Sequence, residues 1–150
     1  MKPKPFIFIS FFLFASTLTA QYKNDNVLYK TVYLEDLCEQ LKEHPDYIFL
    51  DVRSKGEHYD TSSYAGMNIG HLKNAINIPV QELESRMSEL EKYKDKEIIV
   101  YCSHSHRSPR ASYMLTQNGF KKVTNMLGGM SVWKDQVKKN DCNERLYQQQ

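Results

Sequence analysis

Short apolar runs and amphipathic stretches alternate along this chain, with polar turns between them. Val27 to Lys30 reads as an edge strand. Thr31 is placed to cap a helix over Val32 to Glu43, because Val32, Leu34, Leu37, Cys38 and Leu41 recur at helical spacing. His44-Pro45-Asp46 stops that helix. Tyr47-Ile48-Phe49-Leu50 then reads as a buried strand ending in the polar Asp51-Val52-Arg53. From Arg53 to His71 the chain is polar, with Gly56, Gly66 and Gly70 as turn points. Ala75 to Ile78 predicts a second short strand, Pro79 marks its exit, and a helix is expected over Val80 to Leu90. Glu97 to Tyr101 is the clearest central strand. The helix over Arg107 to Asn118 tolerates Pro109 in its first turn, and Asn118-Gly119 closes it. Lys122 to Met126 reads as a further strand. Gly128-Gly129 leads into a last helix over Met130 to Lys138, and Asn140 to Gln150 reads as a polar, frayed tail. Strands and helices alternating at this spacing predict an α/β fold: a central, mainly parallel sheet with helices on both faces.

The first twenty residues stand outside that pattern. Lys2 and Lys4 precede an apolar run from Phe6 to Ala15, and a small-residue stretch ends at Ala20. This is the composition of a secretory signal peptide over residues 1–20, cut between Ala20 and Gln21. The run is short for crossing a bilayer, so no membrane anchor is expected after cleavage. The expected destination is periplasmic or extracellular. The whole chain has 150 residues, a formal charge of +2 and 25% charged positions, which is ordinary globular composition. Lys2 and Lys4 leave with the leader, bringing the 20 basic residues level with the 18 acidic ones. No basic patch with interleaved aromatics remains, so nucleic acid is not an expected partner. The remaining length suits one domain, over residues 21–139, followed by the tail at 140–150.

The chemistry concentrates in Cys102-Ser103-His104-Ser105-His106-Arg107-Ser108, between the central strand and the helix after it. Ligands of open α/β sheets bind outside the C-terminal ends of the strands. A loop curling into a helix N-terminus turns several backbone N–H groups inward as an anion cradle. A thiol at its base is biased toward thiolate, the nucleophilic form. A buried, inert cysteine is the competing reading.

These residues resemble the rhodanese family of sulfurtransferases, in which a loop cysteine takes up sulfane sulfur as a persulfide. Asp51-Val52-Arg53, Glu57, Gly70-His71-Leu72 and Ala75-Ile76-Asn77-Ile78-Pro79 resemble its first signature block. Ile98 to Cys102 resembles the strand delivering the cysteine, Ser103 to Ser108 the active loop, and Gly128-Gly129 with Trp133 the late Gly-Gly…Trp element. The resemblance implies a three-layer rhodanese-like fold with Cys102 as the catalytic residue. It implies transfer of sulfur from a donor such as thiosulfate to a thiol or cyanide acceptor, through a Cys102 persulfide and without a cofactor. The alternative is an exported persulfide carrier, or a protein-binding module, that exchanges sulfur with a protein partner and turns over small donors poorly. Four residues separate Cys102 from Arg107, one fewer than in the related dual-specificity phosphatases, which disfavours phosphatase chemistry.

Around Cys102, the loop residues Ser103, His104, Ser105, His106, Arg107 and Ser108 form the expected binding loop, with Asp51, Arg53 and His71 in support. Arg107 is read chiefly as a brace needing a carbonyl or carboxylate partner, with an anionic substrate as the alternative. Ser108 is read as a helix cap, or else as a hydrogen-bond partner of the sulfur. His104 and His106 are either hydrogen-bonding groups of the site or solvent-facing. No metal site is expected from Cys102, His104 and His106, because alternate residues on a tight loop do not converge on one ion. Ser105 stands where the family commonly has Gly, so it is the loop residue expected to show an unusual backbone. The stretch from Glu57 to Gly70 is longer than the family's usual spacing and reads as rim decoration, or else as part of a substrate mouth. In the family fold the first and last helices can approach one another. A Cys38–Cys142 disulfide is therefore open, as are two free thiols.

Overall fold

The computed structural model describes residues 28–136 and 141–149. The leader, the Ala20–Gln21 cleavage point and Val27 of the expected edge strand lie outside the described residues. The described residues form, in chain order, β1 (Lys30–Val32), α1 (Leu34–Glu43), β2 (Ile48–Asp51), α2 (Lys55–His58), β3 (His71–Leu72), β4 (Ile76–Asn77), β5 (Ile98–Tyr101), α3 (Ser108–Gln117), β6 (Val123–Met126), α4 (Gly129–Gln136), α5 (Asp141–Leu146) and β7 (Tyr147–Gln148). Short 3-10 turns occupy Ala65–Met67 and Met87–Tyr93. Five strands form one sheet in the order β1-β6-β5-β2-β4, and every pairing in it is parallel. A second, two-stranded sheet pairs β3 with β7 antiparallel. The expected α/β architecture with a central parallel sheet flanked by helices is the architecture observed.

Alternation along the strands sorts the core into two layers. Leu50, Val52, Ile98, Val100 and Cys102 join Leu83, Met87, Leu90, Ala111 and Leu115 on one face. Phe49, Ile99 and Tyr101 join Leu37, Leu41, Met126, Met130 and Trp133 on the other. β5 runs through the middle, and all four of its residues are buried. Cys102 continues its alternation, so the thiol points to the α3 side of the sheet.

Several boundaries differ from expectation, each for a physical reason. Thr31 caps nothing: β1 runs on to Val32 by pairing with β6, Thr31 lies opposite Asn125, and α1 starts after Tyr33. The helix expected over Val80 to Leu90 is replaced by turns leading into the 3-10 segment. Val80, Leu83, Met87 and Leu90 are still buried there. Their spacing of three and four residues serves successive turns as well as it serves an α-helix. The segment expected to fray folds instead as α5 and β7. Backbone bonds to His71 and Leu72 hold β7, and a Cys38–Cys142 disulfide fastens α5 to α1. Cys102 is thus the free cysteine among the described residues.

Candidate active site

Asp51 ends β2, and its carboxylate organises the polar layer beneath the loops. Arg53 returns onto it through Nε at 3.0 and 3.1 Å and Nη2 at 2.7 Å, and both side chains are fully buried. The same Nη2 donates to the Gly70 carbonyl at 2.8 Å, so this pair reaches from β2 to the start of β3. His58 Nδ1 lies 2.9 Å from Asp51 Oδ2, and the His58 ring stacks on His71 with centroids 4.2 Å apart. Asn77 Nδ2 donates to the Asp51 and Arg53 carbonyls, both at 3.0 Å. Burial pushes the Asp51 carboxyl up, but the bonds from His58 and Arg53 outweigh it and hold it below the usual range. Arg53 is correspondingly held in its charged form. The expected supporting trio of Asp51, Arg53 and His71 is brought together here, with His71 joined to the pair through the His58 ring. His58 was not singled out in the sequence, where its placement after Glu57 gave no sign that it turns inward.

His71 has a depressed pKa. Burial is the main cause and the His58 ring and Arg53 add to it, while Asp51 and Asp60 oppose it. Its folded value therefore lies below the unfolded 6.5, and between the two values the unfolded chain binds more protons. Stability from this group is complete above about pH 6.5 and drains as the pH falls below it. Asp51 and Glu57 are held below 3.8 and 4.5, so they do not titrate in that window. The urea midpoint should be lower at pH 5.5 than at pH 7.5, and His71→Gln should narrow the difference. An unchanged difference in the variant would assign the effect elsewhere.

A capping box opens α2. Ser54 Oγ accepts from the Glu57 N–H at 3.2 Å, and the Glu57 carboxylate accepts from the Ser54 N–H at 3.0 Å. Both Glu57 oxygens also take Arg107, through Nη1 and Nη2 at 2.6 Å each, and Arg107 Nη2 donates onward to Ser103 Oγ at 2.7 Å. Arg107 thus has the carboxylate its bracing role requires, supplied from fifty positions away. The rest of the Glu57–Gly70 stretch closes on itself. Ser62 and Asn68 exchange two hydrogen bonds, the Gly70 N–H donates to Asp60 Oδ1 at 2.9 Å, and Tyr59 and Tyr64 stay exposed.

The loop itself wraps the sulfur. Ser108 is the first residue of α3 rather than its cap. Arg107 holds the N-cap position without a side-chain cap bond, and Ser108 Oγ lies 3.5 Å from Cys102 Sγ. Burial pushes the Cys102 thiol up. The Ser108 hydroxyl and the backbone N–H groups of Ser108, Arg107 and His104 more than offset that, leaving the thiol below its ordinary pKa. The thiol ionises more readily than a free cysteine although Cys102 exposes 0% of its surface, so a donor reaches the sulfur only when the rim or loop moves. His104 and His106 face solvent. Ser105 sits at φ +62°, the unusual backbone expected of a residue in a glycine's place.

On the far side, Met130 and Ser131 at the start of α4 donate their N–H groups to the Cys102 and Ser103 carbonyls at 2.9 and 3.0 Å. A β-carbon on Gly129 would collide with those carbonyls, which explains the glycine at φ +60°.

A cysteine in an amide cradle at the C-terminal end of the central strand of a parallel sheet defines a cysteine-centred α/β site. The chain belongs to the rhodanese-like domain family, whose model matches residues 34–136. A rhodanese-related protein from Thermoplasma volcanium is similar at 32% identity with a TM-score of 0.57, over 72% of this chain and 93% of that one. An NAD-dependent persulfide reductase from A. fulgidus is similar at 33% identity and a TM-score of 0.51, over 73% of this chain and 17% of that one. Among curated proteins, the tRNA uridine(34) hydroxylase of Cronobacter sakazakii is 33% identical over 90 residues, which are 57% of this chain and 23% of that protein. The same-named protein of Enterobacter sp. is 29% identical over 133 residues, 81% of this chain and 36% of that protein. The chain therefore spans about a quarter to a third of these curated relatives.

Proposed function

We propose that this chain is a sulfurtransferase that carries sulfane sulfur on Cys102. The observation supporting this reading is the cradle, in which one hydroxyl and three backbone N–H groups lower the pKa of a cysteine at the end of the central strand. The Cys102 thiolate attacks the outer sulfur of a donor such as thiosulfate. A Cys102 S–S bond forms, the donor's S–S bond breaks, and sulfite leaves with the bonding electron pair. The outer sulfur then passes to a thiol or to cyanide, and the thiolate is restored. The cradle amides stabilise the charge at each stage. Nothing in these steps calls for a metal or an organic cofactor.

Two features bear on the setting. The Cys38–Cys142 disulfide and the leader-like composition of residues 1–20 both suit an exported protein in an oxidising compartment. The closed thiol favours a second reading, in which a protein persulfide opens the rim and supplies the sulfur. The test is incubation of the purified protein with thiosulfate, then peptide mass spectrometry under non-reducing conditions. The Cys102 peptide should gain the mass of one sulfur atom, and cyanide should remove it as thiocyanate. Loading from a protein persulfide but never from thiosulfate would replace the small-donor reading with the carrier reading, and loading from neither would sink both.

A further inference from the structure

The active loop is pinned on both flanks by groups already described: Glu57 and Ser103 through Arg107 on one side, and the first amides of α4 on the other. Between those flanks lies the apex, where a different contact operates. Ser105 Oγ accepts the Gly128 N–H at 2.6 Å. Ser105 adopts a positive φ to do so, in a region where an L side chain is disfavoured. Gly128 also has a positive φ, +85°, so the loop and the turn after β6 meet through two left-handed residues. The amide of His104, one of the groups facing the sulfur, is next to Ser105 in sequence. The hydroxyl is well placed to hold that amide and the apex over a thiol with no exposed surface.

We infer that Ser105 is a positioning residue that latches the loop apex to the Gly128 amide and keeps the loop closed over Cys102. This rests on the reading of Cys102 as the reactive thiol, and it concerns the closure of that site rather than the sulfur chemistry. The latch does what a glycine at this position cannot. Glycine suits the backbone but has no side-chain acceptor, whereas serine tolerates the backbone poorly and supplies the acceptor.

Two substitutions separate the hydroxyl from the backbone. Ser105→Gly relieves the positive φ and removes the acceptor, while Ser105→Ala removes the acceptor alone. If the hydroxyl is the latch, both variants should alkylate Cys102 with iodoacetamide about threefold or more faster than the wild type at a pH where the thiol is fully ionised, as expected for loss of one hydrogen bond. Backbone amide exchange gives a second readout that a general structural role would not reproduce. The Gly128 N–H should lose protection in both variants, while the Met130 and Ser131 N–H groups, bonded to backbone carbonyls, keep theirs. Wild-type alkylation in either variant would overturn the proposal, as would loss of protection at all three amides together. Alkylation and exchange do not depend on sulfur transfer. A wild-type protein that fails to load sulfur would therefore defeat the sulfurtransferase reading and leave the latch to be judged on its own data.

Discussion

Cys102→Ser is expected to abolish sulfur loading and leave the fold unchanged. Serine is close to cysteine in size, and the position is fully buried against a hydroxyl and three amides that can also hydrogen-bond an oxygen. A serine hydroxyl ionises far above the thiol, and with no sulfur it cannot hold a persulfide. The structure also removes the usual ambiguity in such an experiment. Cys38 and Cys142 are joined to each other, so neither offers a competing thiol while the disulfide stays intact. Under non-reducing conditions the variant should take up no sulfur from any donor, and its circular dichroism spectrum should match the wild type. Persulfide on any peptide of the variant, or retained turnover, would show that the reacting group has been misassigned.

Asp51→Ala should be the most damaging single change to stability. Its carboxylate receives three hydrogen bonds from the Arg53 side chain, itself out of contact with water, and one from the Arg53 N–H, and lies against the nearly buried His58. Removing it leaves a buried guanidinium without its counter-charge, a loss of about 3–5 kcal/mol. For a domain of this size that corresponds to a fall in Tm of roughly 10–20 °C. The cost arises mainly from the stranded cation. Adding Arg53→Met to Asp51→Ala should therefore recover part of the loss, because a neutral side chain of similar length does not require a partner. Thermal unfolding of the two variants beside the wild type measures both effects. A loss below about 1 kcal/mol in Asp51→Ala, or a double variant less stable than the single one, would mean that water replaces the carboxylate and that the network is not dry.

The central strand and the loop after it were legible because Ile98 to Tyr101 is an unbroken apolar run and Cys102 to Ser108 is polar and ends at a helix start. The unusual backbone of Ser105 was legible for a similarly local reason, since the residue stands in a glycine's place. The partners were not. Glu57 and Arg107 meet because α2 and the start of α3 converge above the sheet, and nothing in either neighbourhood marks that convergence. The same holds for Ser105 and Gly128. The C-terminal segment was misread because its polar composition carries no periodic signal. β7 is held by backbone bonds, which are blind to side-chain type, and α5 by a disulfide across 104 positions. Over Val80 to Leu90 the expected helix gives way to turns and a 3-10 segment, because residues spaced by three and four can be buried by either.

The pairing of β3 with β7 has a consequence for the order in which the chain assembles. During synthesis His71 and Leu72 leave the ribosome long before Tyr147 and Gln148 exist to pair with them. Gly70, which in the finished domain packs against Tyr147 and the Gln148 carbonyl, has nothing over it at that stage. The parallel sheet can form from β1 to β6 without β7, because none of its pairings involves the later residues. Closure of the small sheet over the Arg53–Gly70 contact is thus a long-range event that waits for Tyr147 and Gln148. A chain truncated before Tyr147 keeps every strand of the parallel sheet and the thiol loop, but loses the residues that cover Gly70 at the edge of the charge network.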